Sequence, residues 1–288
     1  MNFLFHLATL LTLYMLLALS LNLIVGYTGL LSLSHAAFFG IGAYVAALLI
    51  LKGLPFLLCV LLSALAAGLV SVAVSWPSLR LRGDYFVLAT LGIQSIISGV
   101  FENWAGVTGG SSGLRGIPRP VILSFSFEES GAFFFLTLSV SFFCIYLLYR
   151  LAESSFGRSL KAIREDELAA MALGHNVFRL KIQAFVCCAV AAAVAGALFA
   201  PYMRSISPGS FTLLQSISFL SLVIIGGSGN MTGPIVGTML LVLVEVIIQL
   251  FGGSFYATAN LQQIAYGLLI IGVVRWRPQG LAGEYRLR

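Results

Sequence analysis

Charge is what this chain has least of. Among 288 residues there are 16 Lys and Arg and 10 Asp and Glu, 9% of the total, whereas soluble domains carry about 25%. A soluble globular domain is excluded. No stripe of Lys and Arg interleaved with aromatics appears, which argues against nucleic acid as a partner. Cysteine is scarce: Cys59, Cys144, Cys187 and Cys188 all sit in apolar runs, without CxxC or Cys/His spacing. They read as inert buried thiols, not as metal ligands or disulfide partners. The chain has no Walker A, no HExxH, no Gly-x-Ser-x-Gly and no pair of catalytic acids in a soluble segment. No catalytic or metal-binding residue is therefore assigned, and no cofactor is expected on this chain. Finally, no Lys or Arg precedes Lys52. Without a positive leading segment, the first apolar run is expected to stay as a span and not to be cleaved as a signal peptide.

What fills the chain is apolar sequence, 59% hydrophobic with a mean hydropathy of +1.02. Nine apolar elements can be marked out, at 3–25, 33–50, 56–76, 84–101, 132–150, 180–200, 211–227, 234–251 and 262–275. Runs near the ~20 residues that a helix needs to cross a bilayer predict an all-α polytopic integral membrane protein. We expect a single transmembrane domain over residues 1–288, with about 8–10 helices, some of them broken, and lipid around it. An alternating topology places twelve basic residues in the cytoplasm: Arg80, Arg82, Arg150, Arg158, Lys161, Arg164, Arg179, Lys181, Arg275, Arg277, Arg286 and Arg288. Four fall outside, namely Lys52, Arg115, Arg119 and Arg204. This bias predicts an outside N-terminus and a cytoplasmic C-terminus.

The exception to the apolar pattern is Arg150–Lys181, which holds ten of the charged side chains within 32 residues. Ser155 is a candidate cap for one short helix through Arg164. Asp166 is a candidate cap for a second, with Glu167 in its first turn and Gly174 as its stop. Read as one continuous helix, Phe156, Leu160, Ile163, Leu168 and Met171 form an apolar arc interrupted by Arg164 and Glu167. Two short helices with a bend near Asp166 fit better, lying along the membrane surface. Such a segment, about 151–179, is a docking surface or a long linker.

Two Gly-rich stretches break the apolar runs. In the first, Gly26-Tyr27-Thr28-Gly29-Leu30-Leu31-Ser32-Leu33-Ser34-His35, the glycines permit a helix break while Thr28, Ser32, Ser34 and His35 supply polar groups. Irregular backbone at membrane depth survives only where it is buried or lines a cavity. A helix starting near Ser34 would offer free N–H groups suited to the carboxylate of an amino acid. The plainer reading is close packing through Ala36, Ala37, Gly40, Gly42 and Ala43, with His35 a structural histidine. The second stretch, Gly226-Gly227-Ser228-Gly229-Asn230-Met231-Thr232-Gly233-Pro234, has Pro in the first turn of the helix that follows. Both breaks fall on the cytoplasmic side of the expected topology, which suits a gate as well as a binding site. The longest external loop, about 102–131, contains Gly106 to Pro118 and reads as a flexible loop. Glu245 is the acidic residue placed deepest in a span, and the sequence names no partner for it. Asp84 and Glu102 lie near span ends.

Several of these blocks carry a resemblance. The run GRSLKAIREDELAAMALG, Gly157 to Gly174, is similar to the cytoplasmic coupling segment of ATP-binding-cassette permeases for branched-chain amino acids. The block from Gly26 to Tyr44 resembles the first characteristic block of the same permeases. Gly226–Pro234 and the Arg277-Pro278-Gln279-Gly280-Leu281 ending fit them too. The resemblance spans nearly the whole chain. It implies an importer subunit that carries branched-chain or hydrophobic amino acids by alternating access across the bacterial cytoplasmic membrane. It further implies a second related permease, two cytoplasmic ATP-binding subunits that use the ATP, and an external substrate-binding protein received by the 102–131 loop. On that basis Gly157, Arg158, Lys161, Arg164, Glu165, Asp166, Glu167, Ala169, Ala170 and Gly174 are assigned to ATPase coupling. Gly26, Thr28, Gly29, Ser32, Ser34, His35, Gly226, Gly227 and Gly229 are assigned to the substrate pathway or gate. Related permeases thought to carry urea or short amides form the alternative for substrate; the chain is short for that group. A stand-alone secondary transporter would need deep ionisable residues, of which Glu245 is the one plausible case. A membrane enzyme lacks its catalytic constellation.

Overall fold

The structure is a computed structural model and describes residues 2–81, 83–122, 125–251, 255–277 and 279–283. Arg82, Pro278, Arg286 and Arg288 lie outside the described residues. Twelve α-helices lie among those described: α1 Asn2–Thr28, α2 His35–Leu51, α3 Phe56–Ser78, α4 Asp84–Asn103, α5 Ala105–Thr108, α6 Ser130–Glu153, α7 Ser155–Glu165, α8 Glu167–Ala172, α9 Val177–Met203, α10 Leu213–Gly226, α11 Thr232–Phe251 and α12 Phe255–Trp276. Each of the nine apolar elements read from the sequence is a helix, so the protein is an all-α polytopic membrane protein. Among the described residues six helical stretches are long and apolar enough to cross a bilayer, namely α1, α3, α4, α6, α9 and Pro208–Gly226, in which a 3-10 turn runs into α10. The apolar stretches His35–Leu51, Thr232–Ile248 and Ile264–Val273 are shorter.

Backbone-to-backbone contact between small residues organises the bundle. α2 is buried on nearly every side, as expected of a helix that is apolar all round. It packs chiefly on α9, whose middle, Ala189 to Ala200, is rich in alanine and almost wholly buried. A Cβ placed on Gly42 would lie 2.2 Å from the carbonyl oxygen of Ala193, and one on Gly196 would lie 2.1 Å from that of Phe39. Where lipid is as apolar as leucine, this close approach and its dispersion contacts hold helices together. The packing reading therefore holds at Gly42 and Ala43, while Gly40 lies against the rings of Phe101 and Phe211. α1 and α3 flank the pair, α6 covers α1, and α10, α11 and α12 pack on one another beside α1. Large apolar side chains on α3, α4, α6 and α11, among them Leu65, Leu69, Leu88, Phe142 and Leu243, point outward. A bundle in hydrocarbon is clothed in just such residues.

The 102–131 segment differs from expectation. Instead of a flexible loop, it is tied to the bundle. α5 and a single 3-10 turn at Gly110–Ser112 lead into strand β1, Leu114–Arg115. Two further strands, β2 Val121–Ile122 and β3 Phe125–Ser126, pair with each other. β1 pairs antiparallel with β4, Ser205–Ile206, just beyond the end of α9. The Ile117 N–H donates to the Arg204 carbonyl at 3.0 Å, and Thr108 Oγ1 donates to the Phe101 carbonyl at 2.7 Å. Since β4 follows one end of α9 and the α7–α8 hairpin precedes the other, the 102–131 segment and the hairpin lie at opposite ends of the bundle.

Candidate coupling hairpin and pathway breaks

The polar segment folds as two short helices with the bend at Asp166. The cap of α7 is Ser154, one residue before the expected Ser155: its Oγ accepts from the Phe156 N–H at 3.2 Å. Ser155 is itself the first residue of α7, and its Oγ accepts from Arg158 instead. Asp166 caps α8, its Oδ1 accepting from the N–H groups of Leu168 (2.9 Å) and Ala169 (3.0 Å). Gly174 follows α8 with φ +86°, the left-handed geometry of a helix stop. The hairpin is thus specified by its own caps.

One face of α7 is inward. Gly157, Leu160 and Ile163 are buried, the spacing of one helical stripe, and they pack α7 against α1, α6 and α9. Lys161 places its Nζ 5.0 Å from the centre of the Tyr27 ring, a cation–π contact at the end of α1. Arg164 donates through one NH2 group to the Gly26 carbonyl and through the other to Glu165 Oε1 at 2.9 Å. α8 is tethered by Lys181 of α9, whose Nζ lies 2.7 Å from Glu167 Oε2. Ala170 is buried against the protein, while the remaining residues of α8 face away from it. Leu168, Met171 and Leu173 are 71%, 43% and 78% exposed, an apolar patch beside Ala169 and the charged Arg158, Glu165 and Asp166. Between α8 and the turn joining α3 to α4 lies a groove of about 410 Å³, lined by Leu30, Leu79, Leu81, Leu168 and Met171 among others.

Of the ten residues assigned to coupling, the structure separates two groups. Gly157 and Ala170 are buried, and Lys161, Arg164 and Glu167 turn toward the bundle. Arg158, Glu165, Asp166, Ala169 and Gly174 are exposed. Sequence reasoning placed Leu168 and Met171 in an apolar arc but did not single them out, with Leu173, as an exposed patch. The signal was there: three large apolar residues on and just after a six-residue helix with only Ala170 buried.

Both Gly-rich breaks sit at the hairpin end, and they touch. Asn22, buried in α1, donates from Nδ2 to the Asn230 carbonyl at 2.7 Å, while the Gly229 N–H donates to Asn22 Oδ1 at 3.3 Å. The closeness of Gly229 to Gly26 leaves no room for a Cβ on the latter. The Gly233 N–H donates to Asn230 Oδ1 at 2.8 Å. The 279–283 segment joins the same cluster: the N–H groups of Leu281 and Ala282 donate to the carbonyls of Ile225 (3.0 Å) and Gly226 (2.9 Å). Gly280 and Gly283 lie against Gly227 so closely that any side chain there would collide with backbone. The tail is therefore a clasp on the second break. Asn22 and Asn230 escaped the sequence reading because each is a single polar residue whose partner is remote in the chain.

At the first break the N–H groups of Ala36 and Ala37, at the start of α2, are already taken. The Ala36 N–H donates to Ser216 Oγ at 2.9 Å and the Ala37 N–H to Gln94 Oε1 at 2.8 Å, while Gln94 Nε2 donates to the Phe211 carbonyl at 2.7 Å. Leu33 N–H donates to Thr90 Oγ1 at 3.1 Å. These helix-start donors are satisfied by α4 and α10, as buried backbone groups must be. Ser32 Oγ and Ser34 Oγ lie 3.1 Å apart, and Thr28 Oγ1 bonds back to the Ile24 carbonyl. His35 is buried, with Nε2 3.2 Å from Ser20 Oγ, Nδ1 3.4 Å from Cys188 Sγ and its ring edge-on to Phe219. It knits α1, α2, α9 and α10 together. Glu245 of α11 is within electrostatic reach of Tyr14 on α1 and Tyr266 on α12. Asp84 and Glu102 are exposed at the ends of α4. Among the described residues, no group of three or more His, Cys, Asp or Glu is arranged to hold a metal.

The surface hairpin is thus fastened to the first break, and the first break to the second through Asn22. The family model described as "Branched-chain amino acid transport system / permease component" matches residues 3–274. This chain belongs to that family. It is 33% identical to the high-affinity branched-chain amino acid transport system permease protein LivM of Escherichia coli, over 95% of this chain and 68% of LivM. It is 27% identical to BraD, a high-affinity branched-chain amino acid transport system permease protein of Pseudomonas aeruginosa, over 94% of this chain and 92% of that one. A probable LivH permease of Methanocaldococcus jannaschii is also 27% identical, over 94% and 89%. No solved structure matches. As a member of this permease family the protein is a multi-pass transport component.

Proposed function

We propose that this chain is one membrane subunit of an ATP-binding-cassette importer for branched-chain and other hydrophobic amino acids, and that the α7–α8 hairpin is where a separate ATPase subunit docks. The observation that carries this reading is the contrast on the hairpin. Its outer surface exposes Leu168, Met171 and Leu173 on a charged, aqueous segment, while its inner surface is bonded through Arg164 and Lys181 to α1 and α9. Exposed apolar residues rimmed by charge mark protein-binding surfaces. An inner face fastened to spanning helices makes the surface a lever.

In this account ATP binds and is hydrolysed on two cytoplasmic partner subunits, and this chain holds no cofactor. Their closure displaces the hairpins of this permease and of a second, related one, and a pathway between the two opens alternately to either side. The 102–131 segment at the opposite end receives an external substrate-binding protein. The distribution of basic residues supports an outside N-terminus and a cytoplasmic C-terminus in the bacterial cytoplasmic membrane. The filled N–H groups of Ala36 and Ala37 argue that the resting first break is closed to an amino-acid carboxylate. Gly26, Thr28, Gly29, Ser32, Ser34, Gly226, Gly227 and Gly229 then form a gate, with His35 as its packing support.

The test is uptake in membrane vesicles holding the complete complex, with labelled leucine against labelled urea and with or without ATP. ATP-dependent leucine uptake is expected, with co-purification of ATPase subunits. Uptake of urea in place of leucine would move the substrate class, and full leucine transport by this chain alone would make it a secondary transporter.

A further inference from the structure

We propose that Arg164 is the positioning residue through which the docking hairpin grips the gate, by capping the end of α1 at the Gly26 carbonyl. The proposal rests on the reading of α7–α8 as the ATPase-docking hairpin. The last four carbonyls of any helix lack intrahelical partners, and in α1, which ends at Thr28, Gly26 is one of the four. A carbonyl left unbonded within the bundle is costly. α1 does not finish with a basic side chain of its own in its last turn. The donor comes from 138 residues away, on the one segment expected to move with the motor.

The geometry suits a grip more than a simple contact. A guanidinium presents its donors in a fixed planar fork. One NH2 group of Arg164 holds Gly26 while the other is held by Glu165 at 2.9 Å, which aims the fork. The arginine side chain is 9% exposed. Its Cγ lies 3.0 Å from where a Cβ on Gly29 would be, so its stem fills the space at the break. From Gly26 the connection continues without a gap: Gly229 packs against Gly26, Asn22 joins Gly229 and Asn230, and Asn230 reaches the tail at Ala282. Coupling carried through a contiguous network needs its first link made at the moving part. Leu160 and Ile163 hold α7 to the bundle independently of that bond. Removing the guanidinium therefore leaves the hairpin in place and the docking patch intact, but slackens the link to α1.

The experiment uses the complete complex with its ATPase subunits and substrate-binding protein in proteoliposomes, and reads leucine imported per ATP hydrolysed. For Arg164→Met we expect ATPase subunits to co-purify and hydrolysis to continue, with import per ATP down about tenfold or more, the scale of one charged hydrogen bond. Arg164→Lys, which keeps charge and stem with a single-point donor, should return to within about threefold of the native ratio. A native ratio in Arg164→Met overturns the proposal. So does loss of ATPase subunits in that variant, which would make Arg164 part of the docking contact, and so does failure of Arg164→Lys to rescue. Should Arg164→Met not accumulate, Glu165→Ala removes the acceptor that aims the fork and spares every buried contact; a fall of about threefold or more with ATPase subunits still recovered supports the proposal, and an unchanged ratio or loss of those subunits overturns it. Absence of ATP-driven import by the native complex would overturn the functional reading instead, so the parent protein tells the two failures apart.

Discussion

Lys181, in the first turns of α9, closes an ion pair of 2.7 Å with Glu167, the first residue of α8. The lysine side chain is 11% exposed and the glutamate 42%, so the pair is partly shielded from water and belongs above the weakest surface class. It fixes the direction in which α8 leaves the bundle. Glu167 also sits in the first turn of α8, where a negative charge is favoured by the helix dipole.

Charge exchange tests that relationship. Glu167→Lys and Lys181→Glu should each weaken recovery of ATPase subunits in a pull-down several-fold, since each single change sets two like charges together, at a cost of about 1 kcal/mol. The double exchange restores opposite charges and should recover much of the loss. A double variant no better than either single one would mean the pair does not orient α8.

Asp166 offers a sharper local test. Its carboxylate accepts two backbone N–H groups at the start of a helix of six residues. A helix that short has no margin of its own. Asp166→Ala removes about 1 kcal/mol of capping and should reduce ATPase co-purification, whereas Asp166→Ser should largely keep it. Pull-down yield at equal expression checks this.

The α2–α9 contact predicts where the membrane bundle cannot yield. Gly42→Leu drives a side chain into the backbone at Ala193, and Gly196→Leu does the same at Phe39 and Ala43. Backbone on a facing helix does not move aside as a flexible side chain does, so losses of about 3 kcal/mol or more are expected. Neither variant should accumulate as folded protein in a detergent thermal-shift assay. Gly92→Ala, where nothing lies within 4 Å, should match the parent.

Asn22 tests the junction of the two breaks. Asn22→Leu keeps the approximate volume of the side chain but strands the Gly229 N–H and the Asn230 carbonyl, at about 1–3 kcal/mol. We expect a lower melting temperature and slower leucine uptake, with ATPase co-purification unchanged because the docking patch lies elsewhere. Unaltered uptake and stability would show that the asparagine bridge is not needed.

Much of this was legible from composition and pattern. The bilayer demands long apolar helices, so the helix positions could be read from hydropathy, and Asp166 with Gly174 carried the signs of a short capped helix. What could not be read were partnerships between residues far apart in the chain: Arg164 with Gly26, Asn22 with Asn230, the tail with Ile225 and Gly226. The free N–H groups anticipated at the start of α2 are an instructive difference. A helix start near Ser34 was visible, but Gln94 and Ser216, which fill its donors, lie on other helices and carry no local mark. The order of the 102–131 segment was hidden likewise, since its strand partner, Ser205–Ile206, is about ninety residues away.

The central claim is that α8's exposed apolar patch receives the motor. The most direct measurement is ATP-dependent leucine uptake, alongside recovery of ATPase subunits, for Leu168→Asp combined with Met171→Asp. Both side chains are exposed, so the fold should stand and the thermal-shift midpoint should stay put. The account predicts loss of ATPase subunits and of uptake together. Uptake equal to that of the parent, with the ATPase still attached, would contradict it.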